Sequence, residues 1–113
     1  MKKIEAILQP EKVEDVRMAL ERAGRGGITI TEARGNGSQK GGVQKQFRGE
    51  KYRIPLLQKV KIEIVVKEKD VDETVKIIVD SAWTGQIGDG KIFISTIDSA
   101  IKIRTGEQGE PAI

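Results

Sequence analysis

Residues 59–66 read K-V-K-I-E-I-V-V. Lys61 and Glu63 alternate with Val60, Ile62 and Ile64, and strict alternation marks a strand with one face in a core. Upstream, Pro55 sets this strand off from what precedes it. Downstream, Asp70 is a good N-cap and Glu73 follows three residues later, a capping-box-like pattern. Val71, Val75, Ile78, Val79 and Ala82 then form one apolar stripe at helical spacing. That helix ends before Thr84-Gly85, and I-F-I-S-T at 92–96 reads as a further strand. Ile101 and Ile103 read as a last short extended piece. The polar tail at 106–113, with Gly and Pro, is expected to fray.

The first half of the chain has the same order. K-K-I-E-A-I-L-Q at 2–9 puts Ile4, Ala6 and Leu8 on one face of a strand. Pro10 suits the first turn of a helix, because its fixed φ is already helical. Val13, Val16, Leu20 and Ala23 form the stripe, with Glu11, Glu14 and Asp15 at the favourable N-terminal end. Gly24 and Gly26-Gly27 end it. The β-branched run from Ile28 to Thr31, continuing to Ala33, is a strand. Strand-helix-strand twice gives two right-handed β-α-β halves. The expected fold is α+β, a ferredoxin-like split β-α-β sandwich of four antiparallel strands with both helices on one face. Apolar residues left on the open face are expected to be covered by another copy, making a homo-oligomer.

At 113 residues the chain is one domain with room for a core. Its 20 basic and 17 acidic residues leave a net charge of +3, too balanced for a dedicated nucleic-acid binder on charge alone. With no cysteine, disulfides and thiolate metal sites are excluded. With no histidine, the commonest general base and metal ligand is missing. M-K-K-I-E-A-I lacks the apolar run of a signal peptide and no segment is suited to a bilayer, so a soluble cytoplasmic protein is expected.

Between the halves, residues 35–52 read G-N-G-S-Q-K-G-G-V-Q-K-Q-F-R-G-E-K-Y. No apolar period there supports a helix or a strand, and a connection this long is either functional or a solvated insertion. Its glycines leave N–H groups free to face an anion, and Lys40 adds charge. T-G-Q-I-G-D-G-K-I-F at 84–93 is a second glycine-rich element. Alone it reads as an ordinary helix-to-strand turn as readily as a phosphate loop. Lys102 and Arg104 are a third basic element, or a strand edge blunted by charge. Brought together, the three can surround a polyphosphate with N–H donors and cations.

These blocks resemble the PII nitrogen-regulatory signal-transduction proteins. The resemblance runs through 1–7, T-E-A-R-G-N-G-S-Q-K-G at 31–41, R-G-E-K-Y at 48–52, 59–66, 84–93 and I-R-T-G-E at 103–107. It implies a compact homotrimer with a T-loop at about 37–55, a B-loop at 84–91 and a C-loop at 102–113. It further implies ATP or ADP in the clefts between subunits, with Mg²⁺ and 2-oxoglutarate joining ATP at the base of the T-loop. By the same resemblance, Thr29 and Val65 lie near the adenine. Gly37, Ser38, Gln39, Gly88, Asp89, Gly90 and Lys91 line the nucleotide phosphates. Lys102, Ile103 and Arg104 reach them from the adjacent subunit. Gln39 ligates Mg²⁺, and Gln39, Lys40, Gly41, Lys59 and Gly88 hold 2-oxoglutarate. Tyr52 falls where the family's uridylylated tyrosine lies.

The chain departs from the family pattern in several places. Its T-loop is one residue longer between Gly42 and Phe47. Asn36 and Ser38 replace a common Phe and Arg, Glu50 replaces a serine that some members phosphorylate, and Lys51 replaces an acidic residue. Lys102 replaces an arginine, which loses a bidentate fork. Other readings are weaker. An RNA-binding module stacks bases on sheet aromatics, and only Phe93 falls in an expected strand. A phosphate-transferring enzyme would have Asp89 and scattered glutamates as its bases, so slow ATP hydrolysis is the most it offers. An amino-acid-binding regulatory domain does not need paired glycine-lysine loops. The reading is a non-catalytic sensor of ATP, ADP and 2-oxoglutarate in nitrogen regulation. Its T-loop docks a regulated enzyme, an ammonium transporter or a regulator, with no direct nucleic-acid binding and no membrane contact except through a transporter. An adenylate-only sensor or interaction module, or a weak ATPase, is the alternative.

Overall fold

A computed structural model of the chain describes residues 1–35, 44–47, 50–53 and 57–113, with side chains for 1–35 and 57–113. The central strand is β1 (Lys2–Leu8), followed by a 3-10 turn (Pro10–Lys12), α1 (Val13–Arg22) and β2 (Thr29–Gly35). Next come β3 (Gln44–Phe47) and β4 (Glu50–Arg53). The second half is β5 (Leu57–Val66), a 3-10 turn (Glu68–Asp70), α2 (Val71–Ala82) and β6 (Lys91–Thr96). The main sheet has the order β2-β5-β1-β6, every pair antiparallel. This is the expected split β-α-β arrangement.

Register explains the core. Ile4 lies between Ile64 and Ile94, Ala6 between Ile62 and Ile92, and Leu8 opposite Val60. Because side chains alternate along a strand, these rows share one face. Val16 and Leu20 of α1 and Ile78 and Ala82 of α2 close over it. Val79, expected in the stripe of α2, is exposed instead. Thr74 takes an inner position at 0% exposure, and its hydroxyl donates to the Asp70 carbonyl at 2.7 Å.

α1 ends as its glycines predict. Gly24 sits at φ +77°, its N–H donates to the Glu21 carbonyl, and the Arg25 N–H donates to the Leu20 carbonyl. Those two bonds form a Schellman cap. Pro10 does open a helical segment, but as a single 3-10 turn before α1. The capping box at α2 is not made, since Asp70 has helical φ and ψ and no side-chain cap bond. Arg25 takes both carboxylates instead, at 3.4 Å from Asp70 and 2.7 Å from Glu73.

Three further expectations are corrected. The glycine-rich connection contains an antiparallel ribbon, β3 with β4, paired from Gln44↔Arg53 to Phe47↔Glu50. A ribbon built on backbone bonds needs no apolar period, so the sequence pattern does not show it. The tail does not fray. Ile101 pairs with Gln108, Lys102 N–H donates to Glu107 O and Gly109 N–H to Ala100 O, and a 3-10 turn (Glu110–Ala112) follows. Ile103 is therefore on a turn, at 100% exposure, not in an extended strand. The open sheet face carries apolar residues, as expected, set among charged ones. Lys3–Glu5 at 2.9 Å and Lys61–Glu63 at 3.0 Å are ion pairs there, with Ile7, Val65 and Phe93 between them. Glu5 and Glu63 face each other across the strands. The Lys3 bond holds the Glu5 carboxyl below its ordinary range, which offsets that like-charge opposition.

Candidate functional site

The loop at 84–90 is shaped by glycines that no other residue could replace at low cost. Gly85, Gly88 and Gly90 have φ of +83°, +104° and +108°. A Cβ on Gly90 would lie 1.8 Å from the Ile7 carbonyl oxygen, so this glycine lets the loop lie against β1. A Cβ on Gly85 would meet the Trp83 ring at 2.8 Å.

Asp89 staples the loop from within. Its carboxylate accepts the Thr84 N–H at 2.8 Å, the Gly85 N–H at 2.9 Å and the Thr84 hydroxyl. The Thr84 hydroxyl bond foremost, then the Thr84 N–H, hold its carboxyl below the ordinary aspartate range. The carboxylate is thus committed to shaping the loop.

The Gly88 carbonyl oxygen ties the loop to the sheet. The Gly88 carbonyl accepts Lys59 Nζ at 3.3 Å and Gln9 Nε2 at 3.0 Å. Lys59, at 8% exposure, brings a cation almost wholly inside, where it must have polar partners. It opens the alternating run of β5, and Gln9 stands just past the end of β1. Lys91 begins β6 opposite Ile7 and lines a cavity of about 320 Å³ with Asp89, Gly90 and Trp83.

At the other end of β5, a cavity of about 530 Å³ is lined by Gly27, Thr29, Glu63, Val65 and the chain end, Ala112 and Ile113. Arg25 is on its wall, and the Arg25 Nε–H is buried with no hydrogen-bond partner among the described residues.

The structure therefore brings Lys59 together with Gly88, and Thr29 together with Val65. It does not bring Lys102, Ile103 or Arg104 into either group. They are exposed on the C-terminal turn, and among the described residues Lys102 and Arg104 form no ion pair. Gly37, Ser38, Gln39, Lys40 and Gly41 lie outside the described residues, and Tyr52 is described only in its backbone, in β4. Sequence reasoning missed Gln9, Glu63 and the Ala112-Ile113 end. Glu63 had a signal, since it shares the β5 face with Val65. Gln9 had none, since its partner is 79 residues away. Among the described residues no cluster of acidic groups could hold a metal, and no helix is long and apolar enough to cross a membrane.

The chain is a ferredoxin-like domain with a glycine-shaped loop held to a buried lysine. Comparison with known proteins narrows the class. The family described as Nitrogen regulatory protein P-II matches residues 1–107. The chain is similar to Nitrogen regulatory protein P-II 2 of Methanothermobacter thermautotrophicus, 58% identical over all of this chain and 97% of that protein. It is similar to the Nitrogen regulatory protein P-II of Synechocystis at 53% and of Haemophilus influenzae at 50%, each over the full length of both chains. The chain belongs to the P-II family of nitrogen-regulatory signal-transduction proteins, which are regulatory and not catalytic.

Proposed function

We propose that this protein senses the adenylate pool and 2-oxoglutarate, and that residues 37–55 report the bound state to a partner. The layout of β5 carries the reading. Lys59 and the Gly88 loop are at one end of its open face, and Val65, with Thr29 beside it, is at the other. Five residues of strand lie between Lys59 and Val65, a span of roughly 20 Å suited to an extended nucleotide. The base would occupy the larger cavity, beside Thr29 and Val65. The phosphates would lie toward Gly88, Gly90 and Lys91, with Gly37, Ser38 and Gln39 completing the cradle.

By the family resemblance Gln39 would supply the side-chain ligand for Mg²⁺, while the Asp89 carboxylate is committed to Thr84 and Gly85. Amide oxygen is a suitable hard donor. When bound, Mg²⁺ would neutralise phosphate charge and allow the dicarboxylate to bind close by. Lys59, with Gln39, Lys40, Gly41 and Gly88, would hold 2-oxoglutarate through a charge-assisted contact. Lys102, Ile103 and Arg104 would approach from the neighbouring protomer of a homotrimer. Each ligand favours the loop conformation it binds best, which shifts the loop population and selects the partner. A regulated enzyme, an ammonium transporter or a regulator would be that partner, Tyr52 the uridylylation site and the cytoplasm the compartment.

Calorimetric titration with ADP, with Mg-ATP, and with 2-oxoglutarate before and after Mg-ATP tests this. Dicarboxylate heat that develops only after Mg-ATP is the expected result. Nucleotide binding without any dicarboxylate binding would leave an adenylate-only sensor, and no binding at all would leave an interaction module.

A further inference from the structure

The shared acceptor at Gly88 carries an inference about a residue with no assigned role. We infer that Gln9 is a positioning residue that lets Lys59 turn to an anionic ligand without leaving the Gly88 carbonyl unsatisfied. A carbonyl oxygen has two lone pairs, and here two side chains donate to it, Gln9 Nε2 at 3.0 Å and Lys59 Nζ at 3.3 Å. The Gln9 bond is the shorter, and Lys59 at 3.3 Å is at the loose end of hydrogen-bond geometry. A carboxylate outcompetes a neutral carbonyl for an ammonium, because both partners are then charged. When Lys59 swings away, the Gln9 amide still donates to Gly88, so the loop keeps its anchor to the end of β1. Without that amide, capture of an anion by Lys59 takes one more donor from a part-buried carbonyl, and leaving such a group unpaired is costly. Gln9 thus lowers the cost of releasing Lys59 while making no ligand contact itself.

This inference rests on the proposed dicarboxylate site. Gln9→Met tests it, since methionine keeps the length of the side chain and removes the amide that donates to Gly88. The expected result, by calorimetry on the full chain, is about a tenfold loss of 2-oxoglutarate affinity in the presence of Mg-ATP. ADP affinity should change less than about twofold, a split that a general loss of structure would not produce. Amide exchange of residues 84–90 in the ligand-free protein should also quicken, because the loop has lost an anchor. If the variant proves unstable, Gln9→Glu replaces it. That carboxylate has the same shape, cannot donate to Gly88, and pairs with Lys59 instead, so dicarboxylate affinity should fall further still. Unchanged dicarboxylate binding in a folded variant, or equal losses for ADP and dicarboxylate, overturns the role of Gln9 and leaves the proposed site standing. A wild-type protein that takes no 2-oxoglutarate overturns both.

Discussion

Two glycines show how the same residue type answers to different constraints. Gly24 has φ +77° and open space, with nothing within 4 Å of where a Cβ would stand, whereas Gly90 combines φ +108° with the Ile7 carbonyl at 1.8 Å. Gly24→Ala should therefore cost about 1 kcal/mol, the strain of the left-handed backbone alone. Gly90→Ala should cost about 3 kcal/mol or more, because the loop must also lift off β1. Urea denaturation of both variants checks the ranking, and equal costs would mean that the loop does not press on β1. Asp89 gives a pH test. Its pKa is lowered in the fold, so its stabilising contribution is fully present above the ordinary aspartate value of 3.8 and is lost as pH falls through the lowered one. Trp83, the single tryptophan, packs its ring against Gly85 and is 66% exposed, so its emission reports the loop. Acid titration should show an emission change with a midpoint below that ordinary value, and Asp89→Asn should abolish it.

Among the elements, the start of α2 illustrates what a local pattern can hide. Asp70 and Glu73 have capping-box spacing, yet both carboxylates go to Arg25, which is 17% exposed and anchored by the Schellman cap of α1. The clamp ties the end of one helix to the start of the other. Arg25→Ala should cost about 2 kcal/mol, through lost stem packing and an unpaired, part-buried Asp70. Glu73→Ala should cost less than about 0.5 kcal/mol, its carboxylate being exposed. In a double-mutant cycle, Arg25→Ala and Asp70→Ala should couple by about 1 kcal/mol; additive costs would sink the clamp. The strands of the main sheet and the two helices were legible, because the alternation through Ile62 and Ile64 and the stripe through Val16 and Leu20 are local periods that the core uses directly, which the β3–β4 ribbon lacks. What sequence did not show was every contact with a distant partner: Arg25 with Asp70, Gln9 with Gly88, Ile101 with Gln108. Of the candidate site, the Gly88–Lys91 turn and Lys59 could be read from spacing and resemblance. The second donor to Gly88 and the chain end on the larger cavity could not, because both arise from how the chain closes on itself.

At the scale of the molecule, the cationic groups are divided. Lys59 and Lys91 belong to the loop end of the sheet, whereas Lys102 and Arg104 project from a closed turn and form no ion pair among the described residues. Exposed cations with no ion pair among the described residues can act on a neighbour. In the proposed trimer, each cleft takes its loop from one subunit and its turn from the next. Lys91→Ala and Arg104→Ala should then each weaken ATP binding by about tenfold, the loss of one charge-assisted contact, while leaving the melting temperature nearly unchanged. The decisive measurement mixes the two variants through unfolding and refolding. Going round a ring that contains both kinds of subunit, one cleft always joins an intact loop to an intact turn. Equal mixing should therefore restore wild-type affinity at about a quarter of the clefts, seen by calorimetry as a tight phase that neither variant shows alone. If both residues act within one protomer, no cleft is repaired and the tight phase is absent. Mixing thus separates an intersubunit site from an intrasubunit one without requiring the neighbour to be seen.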